Sequence, residues 1–134
     1  NMQLEHTSSK SIEFILDYLT DMDKFASIHP VISKIKPLGR QHFIVYETLQ
    51  IGPVPWSFTY PAQVILGQDG MSVTIKAIVM KVTKIEMVFE ISKIGPHSLI
   101  KEKIHMETPL PVKKMMQKIF KKQHIQFFKT LESL

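Results

Sequence analysis

The sequence predicts an α+β protein: a curved antiparallel sheet, with elements in the order β-α-α-β6, wrapped around one long C-terminal helix. Three observations predict it. Apolar residues recur at helical spacing only near the two ends of the chain. From residue 33 to residue 107 the period changes to two, and turn residues cut that stretch into six segments. Those segments carry an apolar face, and one long amphipathic segment is left to cover it.

The first element, "MQLEHTS" at 2–8, alternates weakly and suits an edge strand. Ser8 or Ser9 can cap a helix starting near Lys10, along which Ile12, Ile15, Leu16 and Leu19 share one side. "TDMD" at 20–23 has the spacing of a second helix start, with Met22, Phe25 and Ala26 as its apolar side. His29 ends that helix, because the residue before Pro30 is pushed out of the helical region. The strands are expected at 34–38, 42–50, 55–66, 71–79, 83–93 and 97–107. Gly39, "IGPVP" at 51–55, Gly67 to Gly70, and Gly95-Pro96 separate most of them. The break near Lys81 has neither Gly nor Pro to mark it.

Alternation assigns the faces. Ile75, Met87, Phe89 and Ile104 fall on the apolar side of their strands, and Lys101, Lys103 and His105 fall opposite. Met71, Met106, Met115 and Met116 are also expected to look inward. Thioether chains adapt to irregular space, so as a set they suit either core filling or a deformable cavity.

The C-terminal stretch, residues 111–134, holds six lysines and a single acid, Glu132, and so carries the whole net charge of +5. At about 100° per residue, Val112, Met115, Met116, Ile119, Phe120, Phe127, Leu131 and Leu134 fall on one arc. Lys114, Lys118, Lys121, Lys122 and Lys129 fall on the far side. Phe128 and Ile125 lie at or beyond the edge of the apolar arc and are expected at the surface. Pro109 and Pro111 set the start of the helix.

The 134 residues are enough for one domain with a real core, spanning 1–134. No cysteine is present, which excludes disulfides, thiolate metal sites and a cysteine nucleophile. The chain has one arginine, Arg40, whereas base reading and bidentate phosphate binding lean on arginine. No nucleic-acid partner is therefore expected. The first fourteen residues lack a sustained apolar core, and no apolar run reaches the roughly 20 residues a membrane span needs. A cytoplasmic protein is expected.

Three segments carry a family resemblance: "FILDYLTDMDKFASIHPVI" at 14–32, "VYETLQIGPVPWSFTYP" at 45–61 and "PLPVKKMMQKIFKKQHIQFFKTLE" at 109–132. In their order, and over essentially the whole chain, they resemble the helix-grip superfamily (SRPBCC). That superfamily includes START lipid-transfer domains, polyketide cyclases and the birch-pollen-allergen type. The pattern looks closest to small bacterial members. The resemblance implies that the last helix lies in the concavity of the sheet and that a hydrophobic cavity remains between them. It hosts carriers and enzymes alike, so it does not by itself select a function.

Candidate site residues follow from the faces. Trp56, Phe58 and Tyr60 line one side of one strand and suit either core or a slot for a ring or acyl chain. Ile75, Met87, Phe89, Ile104, Met116 and Phe120 complete the expected lining. Glu102 falls between Ile100 and Ile104 on the inward face, and Glu47 does the same if Val45 and Leu49 point inward. A carboxyl there has a raised pKa unless a lysine or hydroxyl pairs with it. Glu102, Glu47 and His29 are the candidate acids and bases, and His29 also reads as a structural neighbour of Pro30. Neither a metal-binding nor a nucleophile motif is present, so no metal and no cofactor are expected. The expected function is binding or transport of a small hydrophobic, lipid-like molecule. The alternative is a cyclase- or hydratase-like enzyme using acid and base residues in the same cavity. The lysine face is either merely solvated or a weak contact for anionic membranes.

Overall fold

A computed structural model describes residues 1–134, apart from the side chain of Ile51. The elements are β1 (Met2–Ser8), α1 (Ile12–Thr20), α2 (Met22–Ile28), β2 (Ile32–Gly39), β3 (His42–Ile51), β4 (Val54–Leu66), β5 (Ser72–Val79), β6 (Thr83–Ile94), β7 (His97–Glu107) and α3 (Lys113–Glu132). The strands form one antiparallel sheet in the order β1-β7-β6-β5-β4-β3-β2. β1 and β2 are its edges. Among the described residues, no helix is long and apolar enough to cross a membrane.

The period-two pattern sets the register. Val64 pairs with Ile75, Ile75 with Met87, and Met87 with Ile104, so one inward row crosses four strands. All four side chains are buried. A slip of one residue would turn every one of them to solvent. The β5–β6 turn, which no Gly or Pro marks, places Met80 and Lys81 in the left-handed region, with φ of 54° and 65°. That conformation costs an ordinary residue about 1 kcal/mol, so sequence composition does not announce it.

The first helix starts two residues later than expected. Ser11 is its cap, and its Oγ accepts from the Phe14 N–H at 3.1 Å. Ser8 instead ends β1, and both Ser8 and Ser9 donate to the Glu132 carboxylate from the end of α3. These hydrogen bonds hold the Glu132 pKa below the usual carboxylate range. Asp21 caps α2 by accepting from the Asp23 and Lys24 N–H groups.

The core lies between the sheet and the three helices. Ile15 and Leu19 of α1, Phe25 and Ile28 of α2, and Phe127, Phe128 and Leu131 of α3 are buried in it. Phe25 and Phe127 meet at 4.9 Å between ring centroids, which joins α2 to the last turns of α3.

Four expectations about the apolar faces need correction. Phe128 is 6% exposed and stacks on His6 at 4.2 Å, whereas Met115, Leu134 and Met71 are 57%, 50% and 43% exposed. Met71 lies just before β5 and Leu134 just past the end of α3, while for Phe128 and Met115 the reason is a drift in the stripe. In residues 112–120 the apolar side is centred roughly 80° away from that of residues 123–131. A single arc drawn over the whole helix averages the two and misplaces the residues at its margins. All five lysines assigned to the far side are exposed.

Candidate functional site

The two halves of α3 leave different amounts of room over the sheet. Beneath its first half is an apolar cavity of about 340 Å³. β4 forms one wall with Trp56, Phe58 and Tyr60, α3 faces it with Met116, Phe120 and Gln123, and Val79 and Ile85 lie between. A second, smaller space of about 30 Å³ lies deeper, lined by His29, Ile75, Met87 and His124 among others. It has room for one or two waters. Glu47, Tyr60, Phe120 and Gln123 line both spaces and so form the neck between them.

The neck is built by strand register. Glu47 lies opposite Phe58 in the β3–β4 ladder, and Val45 lies opposite Tyr60. The Tyr60 side chain reaches diagonally along the same face, and its hydroxyl donates to Glu47 Oε1 at 2.9 Å. Burial pushes the Glu47 pKa up, partly offset by this hydrogen bond and by the charge of His124. Burial and the Glu47 carboxyl together hold the Tyr60 hydroxyl well above its ordinary value. The aromatic row is continuous, with Trp56 and Phe58 at 4.9 Å and Phe58 and Tyr60 at 5.9 Å between centroids. Trp56 is 40% exposed and stands at the mouth with Met80, Leu110 and Met115.

His29 lines the inner space, where its ring holds the turn after α2. Nδ1 accepts from the Val31 and Ile32 N–H groups, both at 3.3 Å. Nδ1 is therefore the unprotonated nitrogen of a neutral ring. Burial first, and the charge of His124 second, push its pKa down to about 3.

Of the expected lining, Trp56, Phe58, Tyr60, Met116 and Phe120 wall the outer cavity, and Ile75 and Met87 wall the inner one. Phe89, Glu102 and Ile104 are inward and fully or nearly fully buried, but they wall neither space. They belong to the closed part of the core under the second half of α3. Glu102 contacts His124 Nδ1 there, so its partner is an imidazole and not the expected lysine or hydroxyl. Both side chains are almost completely enclosed. Such a pair adds little net stability but is costly to break, because either partner alone is a stranded polar group. His6 lies beside it, and burial pushes its pKa down.

Sequence reasoning missed His124 as the partner of Glu102. The signal was present: Phe120, His124, Phe127, Phe128 and Leu131 recur at four, three, one and three residues, which is one helical face. A histidine inside that series is a buried histidine, and Glu102 was the unpaired inward acid. Gln123 was missed for the same reason.

Other grooves are larger but are floored by outward side chains. One of about 410 Å³ involves Lys76, Lys84, Glu86 and His105, and one of about 710 Å³ runs beside the lysine face of α3. Among the described residues no three His, Asp or Glu side chains are grouped to hold a metal ion.

Neither a family model nor a curated protein matches the sequence. Solved structures do match the fold. A START superfamily protein from Mycobacterium smegmatis superposes with a TM-score of 0.81 at 20% identity, covering 98% of this chain and 94% of that one. Ara h 8.0201 superposes with a TM-score of 0.72 at 16% identity, over 98% and 94%. The Zhui aromatase/cyclase from Streptomyces sp. R1128 superposes with a TM-score of 0.65 at 12% identity, over 98% and 92%. The chain has the helix-grip fold of START-like proteins. At these identities the likeness establishes the fold alone.

Proposed function

We propose that this protein binds a small hydrophobic molecule between the sheet and α3, as a carrier or sensor that performs no chemistry on it. The observation that carries the reading is the apolar cavity of about 340 Å³, which opens past Trp56 and Met115 and narrows to a polar neck at Glu47 and Tyr60. Its size falls in the range of small-molecule sites, which are mostly apolar with a few placed polar groups. Similarity of fold to a START superfamily protein supports the same reading. Trp56, Phe58, Tyr60, Met116 and Phe120 are the direct contacts in this proposal, and Ile75 and Met87 bound the inner space.

A second reading is a cyclase- or hydratase-like enzyme. The hydrogen-bonded Glu47–Tyr60 pair and the likeness to an aromatase/cyclase favour it. It is the weaker reading. Acid–base chemistry needs two groups converging on one ligand position, but His29 Nδ1 is occupied by the turn and Glu102 is occupied by His124. We place the carrier in the cytoplasm. Trp56, Leu110 and Met115 are exposed at the mouth, and the last two lie on the chain near Lys114 and Lys118, which suits loading at an anionic membrane surface.

The test is native mass spectrometry of the protein purified from cells, followed by titration with the neutral apolar probe N-phenyl-1-naphthylamine. A reproducible extra mass released on denaturation, or micromolar probe binding lost in Phe120→Trp, is the expected result. A bare protein that also fails to bind the probe overturns the proposal.

A further inference from the structure

Resting on the cavity reading, we propose that the site selects apolar molecules whose polar head donates a hydrogen bond, an alcohol or an amine, and rejects those that end in a carboxylate.

The walls of both spaces lack a cation. The chain has 17 lysines and arginines, yet none lines either space. The lysines of α3 point to solvent, away from the cavity. An anionic head drawn into the neck would lose its hydration and meet no cation, and burying a charge without a partner is strongly unfavourable.

The two imidazoles do not change this. His29 is neutral, with Nδ1 already accepting two backbone N–H groups. His124 directs Nδ1 to the carboxyl of Glu102 in the closed core. Beyond the neck, the one ring whose charge reaches Glu47 and His29 is therefore already paired with the Glu102 carboxylate.

The neck itself offers acceptors. The Tyr60 hydroxyl hydrogen is committed to Glu47 Oε1, which leaves the Tyr60 oxygen lone pairs and the second Glu47 oxygen free to accept, and both residues line the ligand space. A hydroxyl can donate to one of them, and an ammonium group can donate to both. The faces of Trp56, Phe58 and Tyr60 along the wall tolerate an apolar body and attract a cation. A carboxylate arriving at the same point sets acceptor against acceptor. Gln123, on the opposite wall of the neck, carries a neutral amide, which can serve the acceptor side of an alcohol head but supplies no charge to offset that of a carboxylate.

The experiment compares 1-decanol, decylamine and decanoate, which share one apolar body and differ in the head. Trp56, the only tryptophan in the chain, stands at the cavity mouth and reports binding by its fluorescence. At neutral pH, decanol and decylamine are expected to bind at least about tenfold more tightly than decanoate. In Glu47→Gln, which removes the acid that faces an incoming carboxylate, that gap is expected to close to within about threefold. A cooperative melting transition shows that the variant is folded. A lead of decylamine over decanol that vanishes in the variant identifies a cationic ligand; equal binding of the two identifies a neutral donor. Decanoate binding as tightly as decanol, or a gap unchanged in Glu47→Gln, overturns the inference while leaving the cavity reading intact. Failure of all three ligands and of the probe overturns both.

Discussion

Residues 123–131 and residues 113–120 of the same helix meet the sheet in opposite ways. The later half is held on every side. Gln123, His124, Phe127, Phe128 and Leu131 are buried, His124 is engaged by Glu102, Phe127 meets Phe25, and Glu132 accepts from Ser8 and Ser9. The earlier half has no such anchors. Val112 supplies no side-chain cap, the first turn contains no acid, and Lys113 and Lys114 sit where the helix dipole disfavours positive charge. Met115 projects into solvent, and Met116 and Phe120 look onto a cavity rather than a packed core. One helix is thus an anchor at one end and a cavity wall at the other. A ligand site needs such a division, because packing tight enough to hold the fold leaves no space to fill.

The largest effect that separates the halves is in the core. Phe127→Ala should cost about 3–5 kcal/mol, since it removes an aromatic from a closed site, whereas Met115→Ala should stay within about 0.5 kcal/mol. Chemical denaturation of both variants checks this, and comparable losses would mean that the first half is as firmly packed as the second.

A smaller effect concerns His29, which bounds the inner space beside the anchored half. Its pKa in the folded protein is about 3 against an ordinary 6.5, so the unfolded chain takes up a proton before the folded one does. The contribution of His29 to stability is complete above pH 6.5 and is lost as pH falls toward about 3. Glu47 works in the other sense. Its raised pKa favours the protonated carboxyl in the fold, and its contribution declines as pH rises through that raised value. In His29→Asn the amide oxygen can still accept from Val31 and Ile32, but nothing titrates. Denaturation midpoints between neutral pH and pH 5 should fall less steeply in this variant than in the wild type. An unchanged slope would assign the acid sensitivity to other groups, with His6 the next candidate.

The smallest effect is at the start of α3. Lys113→Glu places an acid in the first turn, which is worth about 0.3–1 kcal/mol to the local helix. Amide exchange across residues 115–119 should slow while exchange at 127–131 stays constant. Equal slowing in both segments would show that the helix opens as one unit, not from its first half.

Much of this architecture was legible in the sequence. β1 and the last strand were placed with their observed limits, and the remaining strands and α2 to within about two residues. Period-two and helical patterns report burial, and burial is what holds this sheet together. The aromatic row at Trp56, Phe58 and Tyr60 was legible for the same reason. Glu102 was recognisable as an acid on an inward face. Its partner was not recognised, because strand alternation and helix periodicity were read separately and only docking sets which helical residue meets which strand residue. The Ser8/Ser9 cap failed on a related point. Local chemistry allowed either serine to cap α1, while the distant Glu132 claimed both.

The sequence by itself determined the elements, their faces and the charge of α3, because each depends on residues within a few positions along the chain. Tertiary structure decided where α3 pulls away from the sheet, and therefore where the cavity lies. It also decided that Tyr60 reaches Glu47, that His29 spends Nδ1 on its own turn, and that Glu102 is closed off by His124. Those outcomes depend on the angle at which a helix crosses a sheet and on the volume left beneath it, quantities set by all the packed side chains at once.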